Sequence, residues 1–496
     1  MTKAIDSMDR TGREGASSYF TVAIVGGGFA GATLAAQMLR NSSGTISVVL
    51  VERGARVGRG VAYGTPCPQH LLNVPAKNMS AYPDDPEHFL RWAKLNHDPG
   101  VKPGDFLPRQ VYGRYVEFLL QQEIELHSGR FERVQDEAVS LARLGGMAEI
   151  HLRSGQTLFA DKVVLALGNS PPGDPGLPGK TPHSQHYVSD PWAPGALDDV
   201  SNNEDQSVLL VGSGLTSVDL ALSLRSRGFR GIIHLLSRRG LLPQSHKAPA
   251  VWPPFWDENS PRTARGLLRL IRAQVEAAEG LGSGWRAVID SLRPFTPAIW
   301  RSLPRQEQRR FLRHVRPYWE IHRHRVAPEI GVPLASQIQN SQVETHAGRI
   351  VAYAEDAAEG EVTYRDRKTG QLKGLRVASV INCTGPEVDC RRIDNPLLTN
   401  LAAEKLVRPD PLFLGLDTSE DGALINAYGE PSDFLYTIGP SRKGSLWETT
   451  AVPEIRIQAS QLASLLLAGC KQAESEPMQR EPIVRLHSRS SLLLTT

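Results

Sequence analysis

Cysteine is scarce in this chain. The four are Cys67, Cys383, Cys390 and Cys470 among 496 residues, and no two of them stand as C-x-x-C. That excludes a dithiol redox motif and a visible zinc cluster, so no metal is expected. Cys67 leaves a reactive thiol open, although a lone cysteine is more often inert. Long apolar runs are lacking too. Nothing approaches the roughly 18–20 apolar residues of a membrane span, and the longest late run, 462–469 (LASLLLAG), reads as a buried helix segment. Charge of one sign is also missing: a formal net charge of +3 implies no large nucleic-acid footprint. The N-terminal stretch MTKAIDSMDRTGREGASSYF is polar and lacks the apolar core of a secretory signal. The expectation is a cytoplasmic protein that engages neither membrane nor nucleic acid.

What is present points to nucleotides. The β-branched run Thr21–Val25 reads as a buried parallel strand and leads straight into Gly26-Gly27-Gly28-Phe29-Ala30-Gly31, then into the helix former ATLAAQMLR. G-x-G-x-x-G falls on Gly26, Gly28 and Gly31, which serve the tight turn, the approach to pyrophosphate and the helix-to-strand packing. The helix N-terminus, with Phe29 and Ala30, offers its free N–H groups to phosphate. A second strand, Ile46–Val51, ends at Glu52 and Arg53, and Glu52 stands 24 residues beyond Gly28, where an acid binds ribose hydroxyls. Glu52 would repel a 2′-phosphate, so FAD or NAD fits this site and NADP does not.

The same grammar recurs at Ser207–Val211 followed by Gly212-Ser213-Gly214-Leu215-Thr216-Ser217, with serine in place of the third glycine. The next strand, Ile232–Leu236, ends in Ser237-Arg238-Arg239 rather than in an acid. A hydroxyl and two guanidiniums suit a 2′-phosphate, which favours NADPH over NADH. The alternative is that Arg238 and Arg239 form a solvated turn. Two further apolar runs end in small residues, Val163–Gly168 and Val380–Gly385, and let the backbone pass close to a nucleotide or cross between domains. The fold class expected is therefore α/β with two Rossmann-like dinucleotide-binding domains and a helical insertion. The division is an arm at 1–19, a discontinuous first domain at 20–170 and 376–470, a second domain at 171–375 with an insertion at about 255–330, and a tail at 471–496. Within the insertion, Arg265, Arg269 and Arg272 recur at helical spacing as a solvated face.

With these motifs in place, the chain resembles the two-dinucleotide-binding-domain flavoproteins. Gly60-Val-Ala-Tyr-Gly64, His70-Leu-Leu-Asn73-Val-Pro-Ala, Pro83–Trp92, His322–Pro328 and Gly444–Arg456 resemble a bacterial FAD/NAD(P)-binding family that includes nitrosuccinate synthase, a flavin-dependent L-aspartate N-monooxygenase. The resemblance spans roughly residues 20 to 465. It implies FAD at the first site, with the flavin near Gly58–Asn73 and near Gly439–Glu454, a stretch that includes Trp447 and Glu448. Gly173–Trp192, with His186 and Trp192, matches the fingerprint of Baeyer–Villiger monooxygenases only loosely, so that chemistry is not carried over.

The run Arg309–Arg325 interleaves cations with aromatic residues. Part of it is expected to line a pocket over the flavin, with Arg323 and Arg325 clamping a carboxylate and His324 carrying a proton. The bland alternative pairs these arginines with acids inside a helical subdomain. The expected function is an FAD- and NADPH-dependent monooxygenase that uses molecular oxygen to N-hydroxylate a small amine or amino acid of aspartate type. The alternatives are a reductase serving a quinone or protein acceptor, and a flavin-bound redox sensor without turnover.

Overall fold

The structure, a computed structural model, describes residues 20–42, 46–127, 131–202, 206–247 and 250–475. The expected arm at 1–19 and the expected tail beyond 475 lie outside these residues.

Two parallel sheets organise the chain. The first runs Ala423–Ile425, Pro431–Thr437, Lys162–Leu165, Phe20–Val25, Ile46–Val51 and Phe131–Val134, parallel throughout except at the Ala423–Ile425 edge. Its central strands are runs of Val, Ile and Leu because both faces are covered, as a parallel sheet requires. Helix Phe29–Asn41 is buried along almost its whole length, packed against helices Arg109–Leu126 and Val452–Ser475. Ala32, Ala35 and Ala36 keep its flanks small enough for that approach. Leu462 and Leu466 are buried in the last helix, and no described helix is long and apolar enough to cross a membrane. On the opposite face, an antiparallel sheet spanning Ala138–Ala160 packs with helix Pro396–Ala403, fastened where the Leu141 amide donates to Asn400 Oδ1 at 2.8 Å.

The second sheet runs Leu372–Val377, Gly360–Asp366, Val343–Glu355, Ile233–Ser237, Val208–Val211, Ser379–Asn382 and Tyr187–Val188. The five strands from Val343–Glu355 to Tyr187–Val188 are parallel, and the other two fold back as an antiparallel meander. Strand Ser379–Asn382 pairs with Val208–Val211 in this sheet. The chain therefore leaves the second domain after Asn382, later than the boundary at 376 expected from the sequence. The two crossovers lie side by side: Pro172 bridges Pro386, the Glu387 amide donates to Pro171 O at 3.0 Å, and Asn382 Nδ2 donates to Gly173 O at 3.0 Å.

The insertion is helical. Helix Ala264–Gly280 opens on Thr263, whose side chain accepts from the Gly266 amide. Arg265, Arg269 and Arg272 are exposed, and the apolar stripe with Leu267 and Ile271 faces Trp300 and Trp447. Further along, Phe311–Val315 forms a π-helical turn, an irregularity frequent at functional sites.

Candidate functional site

The first glycine loop is built by close contact. Gly26 has φ +106°, and a Cβ there would lie 2.3 Å from Ala166 O. A Cβ on Gly31 would lie 1.9 Å from Gly26 O, so the helix start and the strand end admit no side chain. Gly28 caps helix Phe29–Asn41 with no side-chain hydrogen bond. The first-turn amides around Phe29 and Ala30 therefore stay open to an anion. Glu52 stands at the loop rim: Oε2 accepts from the Gly27 amide and Oε1 from the Gly54 amide, each at 2.6 Å. Arg53 follows it, exposed. The late strand reaches the same place, because a Cβ on Gly439 would come 3.6 Å from Ala30 Cβ. Gly439 is held by Gln458 and Thr449, at 3.1 and 2.8 Å. These residues make a cradle suited to the pyrophosphate of FAD.

The second loop repeats the scheme with one difference. Gly212 has φ +128° and a Cβ there would lie 2.4 Å from Cys383 O. Gly214 caps helix Leu215–Ser226 without a side-chain bond, and its missing Cβ would meet nothing within 4 Å. Thr216 is half-buried beside it, whereas Ser217 is fully buried at the position of the third glycine. Ser237 Oγ accepts from the Gly240 amide at 2.9 Å and lies 2.8 Å from Ser213 Oγ, which shapes the turn after the second strand. Arg238 is exposed and has no ion-pair partner among the described residues. Arg239 sits over Tyr318 of the insertion at 5.5 Å. Gly168 and Gly385, both at positive φ, open onto space at the crossovers.

Between the loops lies one of the segments that carry the family resemblance. His70 is buried, with Nδ1 2.7 Å from Thr65 Oγ1 and Nε2 2.9 Å from both Asp219 O and Ser223 Oγ. Arg109 pairs with Asp219 at 2.8 Å, and Asn73 O accepts from His246 Nε2 at 3.1 Å. The first domain thus grips helix Leu215–Ser226 of the second and the loop that carries His246. Burial alone would push the Cys67 thiol up, but the adjacent His70 imidazole outweighs it and holds the thiol down to about 7.

The insertion closes on the first domain at Trp447 and Glu448. Trp447 is buried at φ +63°, a conformation that costs a non-glycine residue about 1–3 kcal/mol and clusters at functional sites. Its ring stacks on Trp300 with centroids 5.0 Å apart, and its buried indole N–H has no partner among the described residues. Glu448 accepts from Trp319 Nε1 at 2.9 Å and lies 3.8 Å from Arg323 and from His324. Burial would raise the Glu448 carboxyl, but His324 and Arg323 overrule it and hold the group below its ordinary range. Burial pushes the His324 imidazole down. Arg323 also reaches Glu454 at 3.3 Å, which Arg293 holds at 2.7 Å. Arg325 is paired with Asp290 inside the insertion.

The structure therefore brings Arg323 and His324 together with Trp447 and Glu448, and sets Arg325 apart from them. Sequence reasoning missed Trp300 and Arg293, which lie outside the runs it singled out. The signal it passed over was tryptophan itself, which is sparse in the chain and gathers here.

No curated protein matches the chain. The family described as FAD-NAD(P)-binding matches residues 23–170, which include the first loop, Glu52 and Gly168. Several solved structures share the fold. The ornithine N-hydroxylase of Kutzneria sp. 744, described with reduced FAD, NADP+ and L-orn, is 13% identical, with 91% of this chain and 99% of that one covered and a TM-score of 0.59. The cadaverine monooxygenase of Erwinia amylovora, bound to FAD, is 12% identical over 96% of this chain and 100% of its own, also at 0.59. A bacillithiol disulfide reductase of Staphylococcus aureus is 13% identical over 91% and 99%, at 0.53. At these identities the likeness is one of fold, and it establishes the α/β architecture with two dinucleotide-binding domains that the sequence pattern implies.

Proposed function

We propose that this chain is an FAD- and NADPH-dependent monooxygenase that N-hydroxylates an amine or amino acid, a carboxylate-bearing substrate of aspartate type being favoured. The observation that carries it is the closure of the insertion over the first domain at Trp447 and Glu448, on the side where the late strand meets the first glycine loop. Oxygen chemistry on a reduced flavin needs water kept out, and a lid rich in tryptophan supplies that. Monooxygenases and a disulfide reductase share the fold, and here no C-x-x-C supports the latter.

In this reading Gly26, Gly28 and Gly31 hold the FAD pyrophosphate and Glu52 the adenosine ribose. Gly212, Gly214 and Ser217 hold the NADPH pyrophosphate, with Ser237, Arg238 and Arg239 at the 2′-phosphate. FAD supplies the redox chemistry when bound, and the protein positions and shields it. Around Glu448 and Glu454, the cations Arg293, Arg323, Lys443 and Arg456 outnumber the acids they face, which leaves positive charge for a substrate carboxylate. Arg323 anchors that cluster. His324, 3.8 Å from Glu448, is placed to accept the proton released as a substrate ammonium becomes a nucleophilic amine.

The test is to reduce the purified yellow protein with NADPH without oxygen, then admit oxygen with and without L-aspartate and analyse the products by mass spectrometry. The expected result is an aspartate product one oxygen heavier. Peroxide as the sole product under both conditions contradicts the substrate. Rapid reduction of a quinone in place of oxygen insertion contradicts the reaction class.

A further inference from the structure

The second sheet carries a cluster that neither nucleotide site uses. His234 and Glu344 occupy paired register positions on adjacent parallel strands, so their side chains share a face, and His346 follows two residues on along that face. His234 Nδ1 lies 3.1 Å from His346 Nε2 and 3.4 Å from Glu344 Oε2. His346 Nε2 lies 3.7 Å from the same carboxylate oxygen. A tetrahedral ion with bonds of about 2.0–2.1 Å sets its donor atoms about 3.3–3.4 Å apart. The three separations straddle that value. A hydrogen-bonded pair of imidazoles accounts for one of these contacts but not for a carboxylate oxygen facing both ring nitrogens.

The surroundings are those of a metal centre. The other nitrogen of His346, Nδ1, lies 3.1 Å from the Tyr364 hydroxyl, which orients the ring and aims Nε2 into the triangle. Histidines that bind metals carry such outer partners. The two imidazoles and the Tyr364 ring are largely buried, whereas the Glu344 side chain is 41% exposed. An ion thus has a way in, and water has room to complete the coordination. Two nitrogens and a carboxylate oxygen select a zinc-class divalent ion over calcium or magnesium, which prefer all-oxygen shells.

We propose that His234, Glu344 and His346 form a zinc-class metal site, with Tyr364 as a positioning residue. The ion would clamp strand Ile233–Ser237 to Val343–Glu355 just before the Ser237–Gly240 turn, where a Cβ on Gly240 would touch Ala347 at 3.0 Å. Its role would be to stiffen the base of the second glycine domain. This does not depend on the reaction proposed above.

The test uses the full-length flavin-loaded protein, stripped with a chelator, titrated with zinc chloride by calorimetry and then desalted for elemental analysis. The expected result is a single zinc ion retained per chain and a higher Tm with zinc present. Glu344→Gln keeps an exposed polar side chain and leaves folding intact. It should weaken binding by about tenfold or more and shrink the Tm rise, and Tyr364→Phe should weaken binding by about tenfold. His346→Gln should abolish retention. Failure of the unaltered protein to retain zinc overturns the proposal. So does equal zinc binding by the unaltered protein and Glu344→Gln, a comparison that holds even if His346→Gln does not fold.

Discussion

The two glycine loops are the same device finished in two ways. In the first, each end is closed by protein: Gly31 packs against Gly26, and the Glu52 carboxylate is tied to the Gly27 and Gly54 amides. In the second, Gly212 is as tightly enclosed as Gly26 and Gly214 as open as Gly28, but Ser217 replaces the packing glycine and Arg238 projects without a partner among the described residues. The difference also lies in charge. An acid at the end of the second strand rejects a 2′-phosphate, whereas an unpaired guanidinium invites it.

The strongest way to break this comparison is to crowd both loops. Gly31→Ala should give protein without bound flavin, because its Cβ would collide with Gly26 O, whereas Gly214→Ala should retain full flavin and fold normally. Flavin content after purification checks this, and equal retention would remove the contrast. Next in size is Arg109→Ala at the junction between the domains. It leaves the buried Asp219 carboxylate uncompensated, and removing one partner of such a pair costs about 3–5 kcal/mol. Denaturant unfolding should show the loss. Arg238→Ala should raise the KM for NADPH about 10–100-fold, the worth of one to two charge-assisted bonds, while leaving the KM for NADH and the flavin content unchanged.

How far these sites were legible follows from distance along the chain. Gly26–Gly31 with Glu52, and Gly212–Ser217 with Arg238, are local patterns: strand, turn, helix and next strand lie within a few dozen residues, so spacing alone identifies them. The stacking of Trp300 on Trp447 and the pairing of Arg109 with Asp219 join segments more than 100 residues apart, and no periodicity announces them. His234 and His346 are likewise separated by 112 residues, and only strand pairing brings them onto one face. The crossover after Asn382 is not legible in the same way, because a strand ending there carries no mark of which sheet it will join. Arg325 showed the limit of reading a basic run as one clamp. It pairs with Asp290 while Arg323 turns to Glu448 and Glu454, a division made where the helix ends at Arg323 and the chain turns away.

The smallest effect expected concerns Cys67, at the edge of the same junction. Its thiol is held down to about 7, so iodoacetamide labelling should rise as pH passes about 7, as the thiolate forms. His70→Gln should move that rise to higher pH. Cys383 and Cys390, pushed up by burial to about 12 and about 11, should stay unlabelled in the same range. Peptide mass spectrometry resolves the three.

The most direct measurement is anaerobic mixing of the purified yellow protein with NADPH or with NADH, following the bleaching of the flavin. Two nucleotide sites divided as described predict rapid bleaching by NADPH and slower bleaching by NADH at equal concentration. Bleaching by neither nucleotide, or the same rate with both, would contradict the division of labour between the two loops.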